Sequence, residues 1–97
     1  MNIQQKDDGS RGYFFYEEGG RKLAIMTYSW QGKDLMAIEH TEADDALKGK
    51  GAGKQMVDKA AALARAQGFR ILPLCPFVRH LFEKMPEAYA DVQQADA

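Results

Sequence analysis

The chain has 97 residues, enough for one domain with a modest core and little area for accessory lobes. Hydrophobic residues make up 45% and charged residues 28%, a balance that excludes an intrinsically disordered chain and predicts a globular one. The formal net charge of −1 gives no overall pull toward nucleic acid, and no apolar run approaches the roughly 20 residues needed to cross a bilayer.

Weak alternation at Ile3 and Gln5 predicts at most an edge strand. Residues 11–17 are short and aromatic, which suits a strand, with Tyr13-Phe14-Phe15-Tyr16 divided between core and sheet surface. Glu18-Gly19-Gly20 is a hairpin turn signal. Leu23 to Trp30 forms a second apolar strand, closed by Gln31-Gly32-Lys33-Asp34, and Leu35 to Thr41 a third. These segments predict an antiparallel meander of three to four strands. After Asp44 the period changes. Met56, Ala60, Leu63 and Ala64 fall at helical spacing, with Val57 and Ala61 widening the stripe, and Gly68 ends the helix. Residues 70–74 form a short strand, parallel to 35–41 because the helix 53–67 connects them as a βαβ unit. Val78, Leu81, Phe82 and Met85 mark a last short helix, ended by Pro86. The fold class expected is mixed α/β. A single domain covers 1–92, and the polar tail 93–97 is expected to fray.

Leu47-Lys48-Gly49-Lys50-Gly51-Ala52-Gly53-Lys54 runs straight into the first helix. Glycines at alternate positions let the backbone approach a ligand, and the helix adds unpaired N–H groups and the positive end of its dipole. The combination suits a phosphate or pyrophosphate. Two familiar phosphate loops are excluded, since both need glycine where Lys54 stands. The pattern that fits is a basic or amide residue, two positions, then glycine, one position, then glycine or alanine, here Lys48-Gly49-Lys50-Gly51-Ala52-Gly53. It resembles the acetyl-CoA loop of the GNAT N-acetyltransferases, with Lys48 where that family usually has Arg or Gln. His40-Thr41-Glu42 and Leu72-Pro73-Leu74-Cys75-Pro76-Phe77-Val78 followed by Tyr89 strengthen the likeness, to the small single-domain GNAT-like proteins that carry a PLCPF segment. The likeness runs from about residue 13 to 92.

The resemblance implies a minimal GNAT fold and acetyl-CoA as cosubstrate, bound by Thr41, Lys48, Gly49, Lys50, Gly51, Ala52, Gly53, Lys54 and Phe77. It implies transfer of acetyl to an amine. Cys75 is placed in the active site, as nucleophile or as pocket lining. His40 and Glu39 are the candidates to accept the amine's proton, although His40 shares an alternation with Met36 and Ile38 that also suits a core histidine. Tyr89 matches a family tyrosine without local support for a role, and His80 reads as solvated. The interval Asp7-Asp8-Gly9-Ser10 is too short for the helices that wall the acceptor site in larger relatives. The acceptor side is therefore open, to an amine on a protein or a site completed by a partner. The alternative is a non-catalytic module that binds CoA or acetyl-CoA. No side-chain spacing suggests a metal site, and neither membrane nor nucleic acid is an expected partner. The N-terminus lacks the basic and apolar parts of a signal peptide, and the lone Cys75 excludes an internal disulfide, so the expected location is cytoplasmic.

Overall fold

In a computed structural model that describes residues 1–94, five strands form one sheet in sequence order. They are β1 (Gln4–Asp7), β2 (Arg11–Glu18), β3 (Arg21–Trp30), β4 (Leu35–Ala43) and β5 (Arg70–Pro73). The first four are antiparallel neighbours, and β4 pairs with β5 in parallel. The weakly signalled edge strand is present. A short 3₁₀ turn, Asp45–Leu47, with Asp44 accepting the Ala46 N–H, separates β4 from the loop and was not foreseen.

Three helices lie together over one face of the sheet: α1 (Ala52–Gln67), α2 (Pro76–Lys84) and α3 (Pro86–Tyr89). Helix α1 buries Ala52, Met56, Val57, Ala60, Ala61 and Ala64. Four alanines on that stripe let the helix axis come close to β2, β3 and β4. Phe14, Met26, Tyr28, Met36, Ile38 and Ile71 rise from the sheet into the same core, and Val78, Phe82, Tyr89 and Val92 close it from the side. Pro86 does not simply end a helix. It occupies the first position of α3, where its missing N–H costs nothing. The expected fraying after Val92 is not what residues 93 and 94 show. The Ile71 N–H donates to the Val92 carbonyl and the Gln94 N–H to the Ile71 carbonyl, so this segment pairs along the outer edge of β5. Residues 95–97, the rest of the expected tail, lie outside the described residues.

The opposite sheet face carries no helix among the described residues. Cα partners share a face, so Arg11, Tyr13, Phe15, Thr27, Ser29 and Ala37 all lie on it. The apolar members shelter one another there, with the Tyr13 ring 5.4 Å from Phe15 and the Lys22 ammonium over the Phe15 ring.

Candidate active site

Two features of β4 set the site. The first is a fork. Pairing with β5 runs from Leu35↔Arg70 to Ile38↔Pro73 and stops, while β4 continues to Ala43. Leu74 and Cys75 both donate their N–H groups to the Ile38 carbonyl, and the chain then turns away into α2. Residues 39–43 are left with β3 on one side only, a stretch of roughly 16 Å at strand rise. The second feature is a bulge. Tyr28 pairs with Ile38 and Thr27 with His40, so Glu39 is an extra residue without a partner on β3. Bulges turn side chains and loosen the ladder where they occur.

The bulge corrects the position of His40. Strict alternation would put it beside Met36 and Ile38 in the core, but the extra residue shifts the period by one. Ile38 stays in the core, Glu39 and His40 both leave on the helix-free face, and Thr41 returns toward the helices. The neighbours agree: the Ser29 hydroxyl donates to Glu39 at 3.2 Å and the Arg11 guanidinium at 3.3 Å, both from that face. His40 is exposed, its Nε2 lying 3.1 Å from Glu42. Thr41, on the helix side, accepts from the Cys75 thiol at 3.4 Å. Cys75 is only 4% exposed and sits at the N-cap of α2, in the crotch of the fork.

The glycine loop joins the end of the open β4 segment to α1. Gly49 and Gly51 have φ of 80° and 69°, in the left-handed region that glycine occupies without strain. Gly51 is the N-cap of α1, and no side chain caps the helix. The N–H groups of Gly51, Ala52 and Gly53 have no backbone acceptor among the described residues. Unpaired donors, the helix dipole and the ammonium groups of Lys48 and Lys50, which have no partner among the described residues, make a strong anion site. Lys54 differs: its ammonium is held 2.8 Å from Asp58, one turn down α1, and that carboxylate holds its pKa up.

Gly53 has a second reason to be glycine. A β-carbon there would lie 2.6 Å from the Phe77 ring, so α2 docks with the tip of that ring against the first turn of α1. Phe77 remains 43% exposed beside the loop. Tyr89 points elsewhere. Its ring stacks on Phe82 and its hydroxyl donates to Asp58. Burial, then the Asp58 bond, raise the phenol's pKa. The structure thus gathers Thr41, Cys75, Gly51, Ala52, Gly53 and Phe77 around the fork and loop, with Glu39 and His40 across the sheet. Arg11 and Ser29, the partners of Glu39, escaped the sequence reading. Arg11 stands 28 residues away from Glu39, with no local signal linking them.

The parallel fork, the bulged strand and the glycine-capped helix with free N–H groups lie together, an arrangement suited to an extended ligand that carries an anion. Residues 12–92 match the GCN5-related N-acetyltransferase family model, and the chain belongs to that family; it is an acyltransferase. It is 25% identical over 85 residues to the NATD1 proteins of Gallus gallus and Bos taurus, covering 87% of this chain and 77% and 75% of theirs. Among solved structures it is similar to a GCN5-like protein from Staphylococcus aureus. There the TM-score is 0.71 at 27% identity, covering 99% of this chain and 92% of that one. The aminoglycoside N-acetyltransferase AAC(6′)-Iy, solved with CoA, shares the fold at a TM-score of 0.60 and 11% identity, over 99% and 96% of the two chains.

Proposed function

We propose that this chain is an acetyl-CoA-dependent N-acetyltransferase. The observation that carries this reading is the loop: three consecutive unpaired N–H groups at Gly51, Ala52 and Gly53, at the end of a strand whose β5 side is open. The pyrophosphate takes those donors, with Lys48, Gly49 and Lys50 closing over it. The pantetheine arm runs beside residues 39–43 as a substitute strand, passing Thr41, and Phe77 offers an apolar surface at the mouth. The CoA complex of the aminoglycoside enzyme supports CoA as the carrier. Lys54 acts at longer range, its charge shared with Asp58.

The thioester then lies at the crotch, where the bulge leaves the β4 ladder irregular and able to donate to the carbonyl oxygen. The amine arrives from the helix-free face, where Glu39 and His40 stand ready to take its proton. Nitrogen attacks the thioester carbon, the C–S bond breaks, and the CoA thiolate leaves. An ammonium acceptor gives up two protons in all, one ending on the CoA sulfur and one in solvent. Burial of Cys75 against Thr41 favours it as lining of the thioester pocket over a nucleophile. Membership of the family weighs against a module that only holds CoA. Saturable binding of acetyl-CoA in calorimetry, with free CoA released only when an amine is added, tests the reading. No binding at millimolar acetyl-CoA refutes it. Among the described residues no helix is long and apolar enough to cross a membrane, and we propose a cytoplasmic location.

A further inference from the structure

The helix-free face holds a groove of about 530 Å³ framed by β1, β2 and β3. That volume falls within the range of small-molecule sites. Lys6, Asp8, Arg11, Tyr13 and Thr27 line it. The groove adjoins the proposed reaction centre at two points. Thr27 is in register with His40, and Arg11 bonds to Glu39.

The charges of the groove are unequally committed. Its carboxylates are occupied internally. Asp7 accepts from the Tyr28 hydroxyl, the Trp30 indole and the Gly9 N–H, and Asp8 accepts from the Ser10 and Arg11 N–H groups. Its cations are not. Lys6 has no hydrogen-bond or ion-pair partner among the described residues. Arg11 gives Glu39 one bond at 3.3 Å, from a side chain 70% exposed. An exposed pair of this kind contributes little and exchanges readily. What the groove offers a ligand is therefore Lys6 beside the Tyr13 ring and, toward β4, the Arg11 guanidinium standing next to the Glu39 carboxylate, a cation and an anion close enough to take the two charged groups of one α-carbon.

We propose that this groove is the acceptor site and that it takes a small amine that also bears a carboxylate, of the amino-acid class, with an apolar or aromatic body. The proposal rests on the acetyl-transfer reading above and names its acceptor. The ligand's carboxylate binds Lys6 and Arg11, and its body lies on Tyr13. Arg11 then turns from Glu39 to the ligand, leaving Glu39 free for the ammonium group. Glu39 takes one proton, nitrogen attacks the acetyl carbon, the C–S bond breaks, and CoA leaves as thiolate. The second nitrogen proton neutralises that thiolate, and the proton on Glu39 passes to water. A polycation lacks the group that would displace Arg11.

The test compares L-phenylalanine, its methyl ester and spermidine as acceptors, with the acetylated product identified by mass spectrometry. The ester carries the more easily deprotonated amine, so chemical reactivity alone favours it. The expected result is kcat/KM at least about tenfold higher for the free acid than for the ester, the effect of one charge-assisted contact at about 1.4 kcal/mol. Lys6→Gln should raise KM for L-phenylalanine several-fold and narrow the acid-to-ester ratio, with kcat nearly kept. In amide NMR spectra, L-phenylalanine should shift Lys6, Arg11 and Tyr13. Turnover of spermidine or the ester above the acid, with acetyl-CoA bound, overturns this inference and leaves acetyl transfer standing. Failure to bind acetyl-CoA at all overturns both.

Discussion

Replacing Gly51 by valine puts a β-branched residue where φ is 69° and ψ is 32°. The left-handed region costs an ordinary residue about 1–2 kcal/mol, and a β-branched one at least as much. Crowding is not the cause, since a β-carbon at Gly51 meets nothing within 4 Å. The strain must therefore appear in one of two places. If the free loop keeps its native turn, folding stability falls by that amount, which is about 4–16 °C in melting temperature for a domain of this size. If the loop relaxes before ligand arrives, the same strain is met on binding, and the dissociation constant for acetyl-CoA rises about 5- to 30-fold. The open surroundings favour relaxation, so most of the effect is expected in affinity. Gly51→Asn is the control, because asparagine tolerates this region. Calorimetry with acetyl-CoA and thermal melts on both variants read the two terms. Valine and asparagine variants with equal affinity and equal melting temperature would refute the assignment of the turn and of the phosphate site built on it.

Glu39→Gln should lower kcat about 10²-fold or more while acetyl-CoA affinity holds, the usual effect of removing a general base; an unchanged rate would move that role to His40. Tyr89→Phe breaks the bond to Asp58 and should cost about 1–2 kcal/mol in urea unfolding. Its kcat should not move, and a large loss would mean that the phenol takes part in the reaction. At Asp7, burial tends to raise the pKa, but bonds from Tyr28, Gly9 and Trp30 outweigh it and hold the carboxyl below 3.8. A depressed carboxylate stabilises the fold above the unfolded value of about 3.8 and loses that contribution as pH falls through the lower folded value. Melts from pH 6 to pH 2 should thus show wild type above Asp7→Asn at pH 6, with the gap closing below pH 4; a constant gap would contradict the network.

The elements most visible in the sequence were those with a strong local signature. The two-glycine turn of the β2–β3 hairpin, the alanine stripe of α1 and the glycine loop each announce themselves within a few residues. The loop's three glycines even divide by purpose only in three dimensions, Gly49 and Gly51 for their backbone angle and Gly53 for Phe77. What stayed hidden depends on pairing between distant segments. The bulge at Glu39 leaves no mark in composition, yet it moves His40 from the core to the open face. The pairing of residues 92–94 with Ile71 is equally silent, because a polar segment that borrows backbone bonds needs no apolar pattern. The burial of Cys75 follows from the way the chain folds back over Ile38, which no spacing rule encodes.

That C-terminal segment has a consequence for how copies of the protein meet. A sheet offers two rims where a foreign strand can add, and strand addition is a common route to aggregation. Here the rim beyond β5 is capped at Ile71 by residues 92–94, and Arg65 pins the preceding turn by gripping Asp91 at 2.6 Å and the Ala88 carbonyl. Among the described residues, and apart from the short open stretch of β4 that forms the proposed site, the outer strand left uncovered is β1. It is four residues long, with Lys6 and Asp7 along it, the kind of short charged border that repels its own copies. Cutting the chain before Val92 would uncover the second rim without touching any residue of the proposed site. Such a shortened protein should be expected to fail first by self-association rather than by loss of chemistry.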